Sequence, residues 1–294
     1  MKIAISYPPI KSEKGNFEFQ SLSQEQKIAL GEILGTIPSD GYFGINQSGL
    51  YNYILCVKDK DFVEYIAQDF LKLGINVNLH RRNSGLWYIE VSRKWFDKLL
   101  FCLKKEDNKW LFSEEIINSS DYEFQAAIIR SFADADGTAS GSFRYGKYYS
   151  RRIAIYNQSK NLLSQLQLML HSFCINSYIR KDRDGRLAPI KGSIINFPTV
   201  YSLRITNYKN LKLFYDKINF KIARKDNKLS EMINSYRYIG KEYTENDYWQ
   251  VLASYKKFKN CREVSRVIGV PPQTVQNWIL LGKVPRVLKL VSEY

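Results

Sequence analysis

The chain is poor in the residues that build most metal and redox centres. It holds two histidines, His80 and His171, in 294 residues, too few for a histidine-rich metal centre. Its four cysteines, Cys56, Cys102, Cys174 and Cys261, stand far apart and form no CxxC pair. Neither a zinc ribbon nor a disulfide framework is therefore expected, and a reducing compartment fits. No apolar run approaches the ~20 residues of a membrane-spanning helix, and the N-terminus lacks a signal-peptide pattern. The expectation is a soluble intracellular protein of the cytoplasm or nucleoid, or of an organelle matrix if organelle-encoded. Acidic residues are also scarce, 29 against 44 Lys and Arg, for a formal charge of +15. The excess is spread through folded-looking segments and favours a polyanionic partner. The 21 tyrosines interleaved with it add stacking surface.

Against this background two stretches share one design. Leu34–Gly41 (LGTIPSDG) and Arg130–Gly137 (RSFADADG) each close an apolar, small-residue helix with an acid followed by glycine, 96 positions apart. Small residues recur every fourth position, Gly31, Gly35 and Ser39 in the first and Ala127, Ser131 and Ala135 in the second. On a helix such positions stack on one face and let two backbones approach closely. Asp40 and Asp136 would then lie side by side at the ends of paired helices, with the two glycines free to take a left-handed cap conformation. Two adjacent carboxylates in so basic a chain point to a bridging divalent metal.

The surrounding sequence repeats as well. Leu73–Asn76 matches Phe173–Asn176, and Leu55–Phe62 matches Ile155–Leu162 at the same offset of 100. Tyr88–Val91 resembles Ser202–Ile205, and Phe96–Leu99 resembles Tyr215–Ile218. A duplication of this kind packs two similar units about a pseudo-twofold axis. Each unit reads as helix, two strands, helix, two strands, helix. Ser23–Gln26 and Ser120–Glu123 supply capping boxes for the two motif helices. Pro38 falls in the last turn of the first. Strands are expected at about 42–47, 51–58, 76–82 and 86–92, with helices at about 60–73 and 94–103. The second copy repeats these at about 138–145, 150–158, 160–173, 176–182, 200–206 and 208–217, with an extra hairpin segment near Arg186–Phe197.

Strand alternation separates an apolar face from a polar one. Ile153 and Ile155 oppose Arg152, Ala154, Tyr156 and Gln158; Ile179 opposes Tyr178 and Arg180; Leu203 and Ile205 oppose Ser202, Arg204 and Thr206. In the first copy Val77 and Leu79 oppose Asn78, His80 and Arg82, while Ile89 and Val91 oppose Tyr88, Glu90 and Ser92. The polar faces suit base edges and phosphates in a major groove. Asn46, Asn78, His80, Arg82, Tyr88, Arg144, Arg152, Tyr156, Tyr178, Arg180 and Arg204 are the candidate DNA contacts.

The two acid-terminated helices, the αββαββα repeat and the basic strand faces resemble a single-chain LAGLIDADG homing endonuclease over about residues 21–230. The second motif, Ile129–Gly137, matches well; the first has Pro38 where the family often has Asp or Gly. The resemblance implies an α+β fold in which two pseudo-symmetric repeats share a central helix pair and lay saddle-shaped antiparallel sheets over double-stranded DNA. It implies Asp40 and Asp136 as ligands of two or three divalent ions, Mg²⁺ foremost, in metal-dependent cleavage of both strands. It also implies Lys58 and Gln158 as the catalytic polar residues at the ends of the second strands, and a monomer recognising a long specific target. A non-cleaving transcriptional regulator and an intron RNA maturase remain alternatives on the same scaffold.

Past the repeats, Lys221–Tyr248 reads as a charged connector with one helix at about 226–236. Cys261–Leu281 has the layout of a helix-turn-helix: Ser265 small, Gly269 in the turn, Val275 and Trp278 packing back. There Pro271 and Pro272 start the second helix, and Gln273, Thr274, Gln276 and Asn277 are set out for bases. The expected organisation is a leader (1–20), repeats at 21–118 and 119–230, a linker (231–248) and a small all-α helix-turn-helix domain (249–294).

Overall fold

A computed structural model describes residues 22–45, 51–92, 102–106, 109–144, 147–148, 150–190, 193–236 and 243–284. The chain divides into two compact units at residues 237/238.

In the first unit, α1 (Gln24–Thr36) leads into β1 (Gly41–Ile45) and β2 (Tyr51–Val57), α2 (Lys60–Lys72), β3 (Leu79–Arg81) and β4 (Trp87–Ser92). A hairpin, β5 (Leu103–Glu106) and β6 (Lys109–Phe112), and a single turn α3 (Glu114–Ile117) lead to the second copy. That copy consists of α4 (Tyr122–Asp136), β7 (Gly137–Ser140), β10 (Arg152–Asn157), α5 (Lys160–Ser172), β11 (Ser177–Arg183), β14 (Val200–Thr206) and α6 (Tyr208–Lys217). Two small hairpins are added to it, β8 (Phe143–Arg144) with β9 (Lys147–Tyr148), and β12 (Arg186–Ile190) with β13 (Ser193–Phe197). Then α7 (Ala223–Asn234) closes the unit.

The sheets run β1-β2-β4-β3 and β7-β10-β14-β11, all antiparallel. One row across the first sheet reads Gly41, Leu55, Ile89, Leu79. The equivalent row of the second reads Gly137, Ile155, Leu203, Ile179. The duplication is thus preserved to the single residue. α2 and α5 cover these sheets through the same stripe, Phe62, Val63, Ile66 and Phe70 in one and Leu162, Leu163, Leu166 and Leu170 in the other, the spacing that lines up one helix face.

The small-residue stripe does what its spacing requires. α1 and α4 pack so closely that a Cβ on Gly35 would lie 2.1 Å from Ser131 Oγ and 2.4 Å from the Ile128 carbonyl. A Cβ on Gly31 would meet the Phe124 carbonyl at 2.7 Å.

Several local expectations change. The Ser23–Gln26 capping box opens α1, but Asp121, not Ser120, caps α4, accepting from Phe124 N at 3.0 Å. α1 ends at Thr36, before Pro38, so Asp40 sits in a turn; α4 runs unbroken to Asp136. Gly137 is extended (φ −100) and Gly41 begins β1, so neither is a left-handed cap. Space is the reason for glycine there: a Cβ would lie 2.4 Å from Tyr53 Cε2 at Gly41 and 2.4 Å from the Ala133 carbonyl at Gly137. Of the helix expected at 94–103, residues 93–101 lie outside the described residues, and 103 already begins β5. The strand expected at 138–145 divides into β7 and β8, and the helix expected at 226–236 spans 223–234. Nor is 221–236 a connector. Ile222, Leu229, Met232 and Ile233 join the core, because α7 presents an apolar face between its charges.

The second unit holds α8 (Glu245–Phe258), α9 (Cys261–Ile268) and α10 (Pro272–Ile279) around Val251, Val264, Val270, Val275 and Trp278. Tyr243 and Tyr248 meet the Trp278 ring edge-on at 5.1 and 5.4 Å. Gly269 takes the left-handed conformation (φ +74) that ends α9. Among the described residues no helix is long and apolar enough to cross a membrane.

Candidate DNA-cleavage site

The end of α4 and the turn that follows α1 bring Asp136 and Asp40 within electrostatic reach of each other. Both carboxyls are half-buried. Burial, and then the neighbouring charge of Asp40, pushes the Asp136 carboxyl up to about 7. Burial also raises Asp40, with Asp59 adding to the rise and Lys225 opposing it. Asn157 Nδ2 donates to Asp136 Oδ2 at 3.1 Å. A cleft of about 410 Å³ opens over Asp136, lined by Pro38 and Ser39 from the first repeat, Trp110 from the intervening hairpin, and Tyr156, Asn157 and Gln158 from the second.

The strand register explains why Asn157 and not Gln158 meets the acid. Side chains alternate, so Asn157 shares the helix-covered face with Ile153 and Ile155, and α4 ends beneath that face. Gln158 follows β10, is exposed and lines the cleft without bonding Asp136 among the described contacts. Lys58 is its counterpart after β2, also exposed, and no described hydrogen bond or ion pair ties it to Asp40.

Lys225 was not visible in the sequence. Only 6 % exposed, its ammonium donates to the carbonyls of Ala133, at 3.1 Å, and Asp134. Burial lowers its affinity for a proton, while Asp134, Asp59 and Asp40 pull the other way. Asp134 is itself raised to about 6 by burial, against donors from the Lys221 and Ile222 backbone and Tyr65. Deeper still, fully buried Glu32 takes Arg130 Nη1 at 2.7 Å and the Lys221 ammonium, with Asp69 beside it. These ionic contacts fasten α7 to the motif helices. A run of alternating charge in sequence carried no signal for that burial.

The candidate DNA contacts divide. His80 stacks on Tyr88 at 5.2 Å, and Arg82 lies 5.0 Å over the same ring while donating to Tyr42 Oη at 3.1 Å. Asn78, Tyr178 and Arg180 are exposed. Tyr156 is half-buried in the cleft wall. Arg152 is half-buried, with an Nε that has no hydrogen-bond partner. Ala154 and Ser202 are buried rather than outward. Arg204 is 8 % exposed and committed to Asp182 and Ser202. Its place on the polar face is filled by this ion pair, which the added length of β11 makes reachable. Arg144 falls in β8, and Asn46 lies outside the described residues. On α10, Gln273 and Gln276 are exposed and Thr274 and Asn277 half-buried.

Two helices packed through glycine and small residues, each followed by an acid, a glycine and a sheet of identical order, define the arrangement. Residues 123–219, the second copy, match the family described as LAGLIDADG-like domain. An uncharacterized protein of Methanocaldococcus jannaschii is 26% identical over 195 residues, covering 64% of this chain and 65% of that protein. The ATP-dependent DNA helicase Hel308 of the same organism is 29% identical over 210 residues, covering 69% of this chain and 16% of the helicase. The chain thus spans less than two thirds of these relatives. Among solved structures, homing endonuclease I-DmoI in complex with DNA and Ca has a TM-score of 0.45 at 15% identity, covering 71% of this chain and 100% of that one. Full-length DUF199/WhiA from Thermatoga maritima has a TM-score of 0.44 at 13% identity, covering 93% and 94%.

At the ends of the helix pair the donor chemistry fits a hard divalent cation. Asp40 and Asp136 offer oxygen ligands whose mutual repulsion a cation relieves. Among the described residues no group of three or more His, Cys, Asp or Glu is placed to hold a metal ion by itself. Such an ion would therefore draw its other ligands from water and phosphate, as Mg²⁺ prefers.

Proposed function

We propose that the chain is a site-specific, metal-dependent endonuclease acting on double-stranded DNA as a monomer. The observation that carries this is the convergence of Asp40 and Asp136, one from each repeat, at the end of the central helix pair. Burial first, and then the charge of Asp40 beside it, raises the proton affinity of Asp136, and a cation shared by the two carboxylates would relieve that repulsion. The similarity of residues 123–219 to the LAGLIDADG-like family and the +15 charge support the same reading. Related segments make up 65% of an uncharacterized protein and 16% of a DNA helicase, which supports a transferable element over any activity belonging to those proteins.

Asp40 and Asp136 would hold the divalent ion, Mg²⁺ under physiological conditions. When bound, the ion supplies an activated water and neutralises charge on the phosphate. Asn157 keeps the Asp136 carboxyl oriented toward the cleft. Lys225 balances the surplus negative charge at the helix ends, and Gln158 and Lys58 face the scissile backbone. His80, Arg82, Tyr88, Tyr178 and Arg180 contact the duplex from the two sheets. The second unit is a helix-turn-helix that lengthens the footprint through Gln273 and Gln276. We assign the repeats to 21–118 and 119–230.

Incubating the full chain with a plasmid library, with and without Mg²⁺, tests the proposal. Cleavage at one rare sequence, only with Mg²⁺, is expected. Binding without cutting would turn the reading to a regulator, and preference for structured intron RNA to a maturase.

A further inference from the structure

The two acids are not held alike. Asp136 is the last residue of an unbroken helix and is bonded by Asn157. Asp40 has neither support: α1 stops at Thr36, and the register that aligns Leu55 with Ile155 places Val57 where Asn157 stands. Something else must fix the turn that carries it.

A buried pair of hydroxyls spans that turn. Thr36 Oγ1 donates to the Ile33 carbonyl at 2.6 Å and lies 2.6 Å from Tyr53 Oη. A threonine has one hydroxyl proton, so with that proton on Ile33 the Tyr53 hydroxyl is the donor between the two. Thr36 and Tyr53 are both 0 % exposed. The Tyr53 ring also presses on the residue after Asp40, since a Cβ on Gly41 would lie 2.5 Å from Tyr53 Oη. Ser39 Oγ completes the clamp, donating to the Gly35 and Thr36 carbonyls at 3.0 and 3.1 Å. Tyr53 therefore grips both ends of the 37–40 turn, Thr36 on one side and Gly41 on the other. The second repeat has Phe132 and Ile153 at the corresponding positions, where continuous helix makes such a clamp unnecessary.

We infer that Tyr53, acting through Thr36, is the positioning residue for Asp40, a device of the first repeat alone that replaces the missing helical turn and the missing asparagine. The inference rests on the metal-dependent nuclease reading. A slack Asp40 weakens the ion's hold from one side only, and the DNA strand served by that side is cut more slowly.

The test uses the full chain as wild type, Tyr53→Phe, Thr36→Val and Thr36→Ser. Mn²⁺ binding is read by calorimetry without DNA, and strand-resolved cleavage on a target taken from the plasmid library. Tyr53→Phe and Thr36→Val are expected to weaken Mn²⁺ binding about tenfold, the scale of lost outer-shell support. Both should accumulate DNA nicked in the same strand, while Thr36→Ser, which keeps the hydroxyl, behaves as wild type. A residue that merely stabilises the fold would lower the melting temperature without changing Mn²⁺ affinity or strand ratio, and that result overturns the inference. Wild-type protein that binds no Mn²⁺ overturns both the inference and the nuclease reading. Wild type that binds and cuts, with Tyr53→Phe indistinguishable from it, overturns the inference alone.

Discussion

Asn157 Nδ2 donates to Asp136 Oδ2 at 3.1 Å, while the corresponding position in the first repeat is Val57. The asymmetry predicts unequal sensitivity. Replacing Asn157 with Val, which copies the first repeat, should reduce metal affinity or the single-turnover cutting rate about 10–100-fold, as loss of an outer-shell partner does. Replacing Val57 with Ala should leave both within about threefold, because that side chain offers nothing to bond. Single-turnover kinetics across a Mg²⁺ titration decide it; equal losses would dismiss the difference between the repeats.

Asp136 should also show itself in stability. Its folded proton affinity, about 7, lies above the ordinary 3.8 because burial and the Asp40 charge oppose ionisation. Between those pH values the folded state holds a proton that the unfolded chain has lost, so metal-free stability falls as pH rises through about 7. Asp136→Asn removes that loss. Urea unfolding in EDTA should find the variant more stable than wild type at pH 8.5 and equal to it near pH 4, though devoid of cleavage.

Glu32 is fully buried between Arg130 and Lys221. Glu32→Gln would remove the carboxylate that two cations share, one 20% and the other 35% exposed. Breaking a fully buried pair costs about 3–5 kcal/mol; with partly hydrated cations the expected loss is about 2–3 kcal/mol, read from denaturant midpoints at constant slope. A neutral result would mean that the anchoring of α7 does not depend on this carboxylate.

Gly35→Ala places a methyl 2.1 Å from Ser131 Oγ and 2.4 Å from the Ile128 carbonyl. Overpacking typically costs about 1–3 kcal/mol, and backbone on the far side leaves little room to yield. Adding Ser131→Ala should not restore stability, because the carbonyl contact remains. Recovery in the double variant would place the tight contact at the side chain instead of the helix backbone.

The readings that survived rest on periodicity. Gly31, Gly35, Ala127 and Ser131 face one another because residues four apart share a helix face, and the repeat offset of 100 reappears as identical pairing of Leu55 and Ile155 in their sheets. The readings that changed concern which neighbour satisfies a given group. Asn157, and not Gln158 one position along, bonds Asp136, and strand alternation alone does not say under which face a helix ends. Arg204 looks outward by alternation but is drawn to Asp182, from the neighbouring strand β11. Lys221 and Lys225 read as part of a charged connector, yet α7 and the residues leading into it place them on a carboxylate and helix-end carbonyls contributed by positions some 90 to 190 residues away.

Sequence pattern determined the duplicated architecture, from a repeat offset near 100, and the close helix seam with an acid after each helix, from spacings within a few residues. Tertiary structure alone decided how each acid is supported, one by an amide and an intact helix, the other by a pair of hydroxyls beneath a proline-shortened turn. The reason is physical: a buried polar group takes whichever partner the packing of distant segments brings within hydrogen-bonding distance, and no nearest-neighbour rule contains that distance.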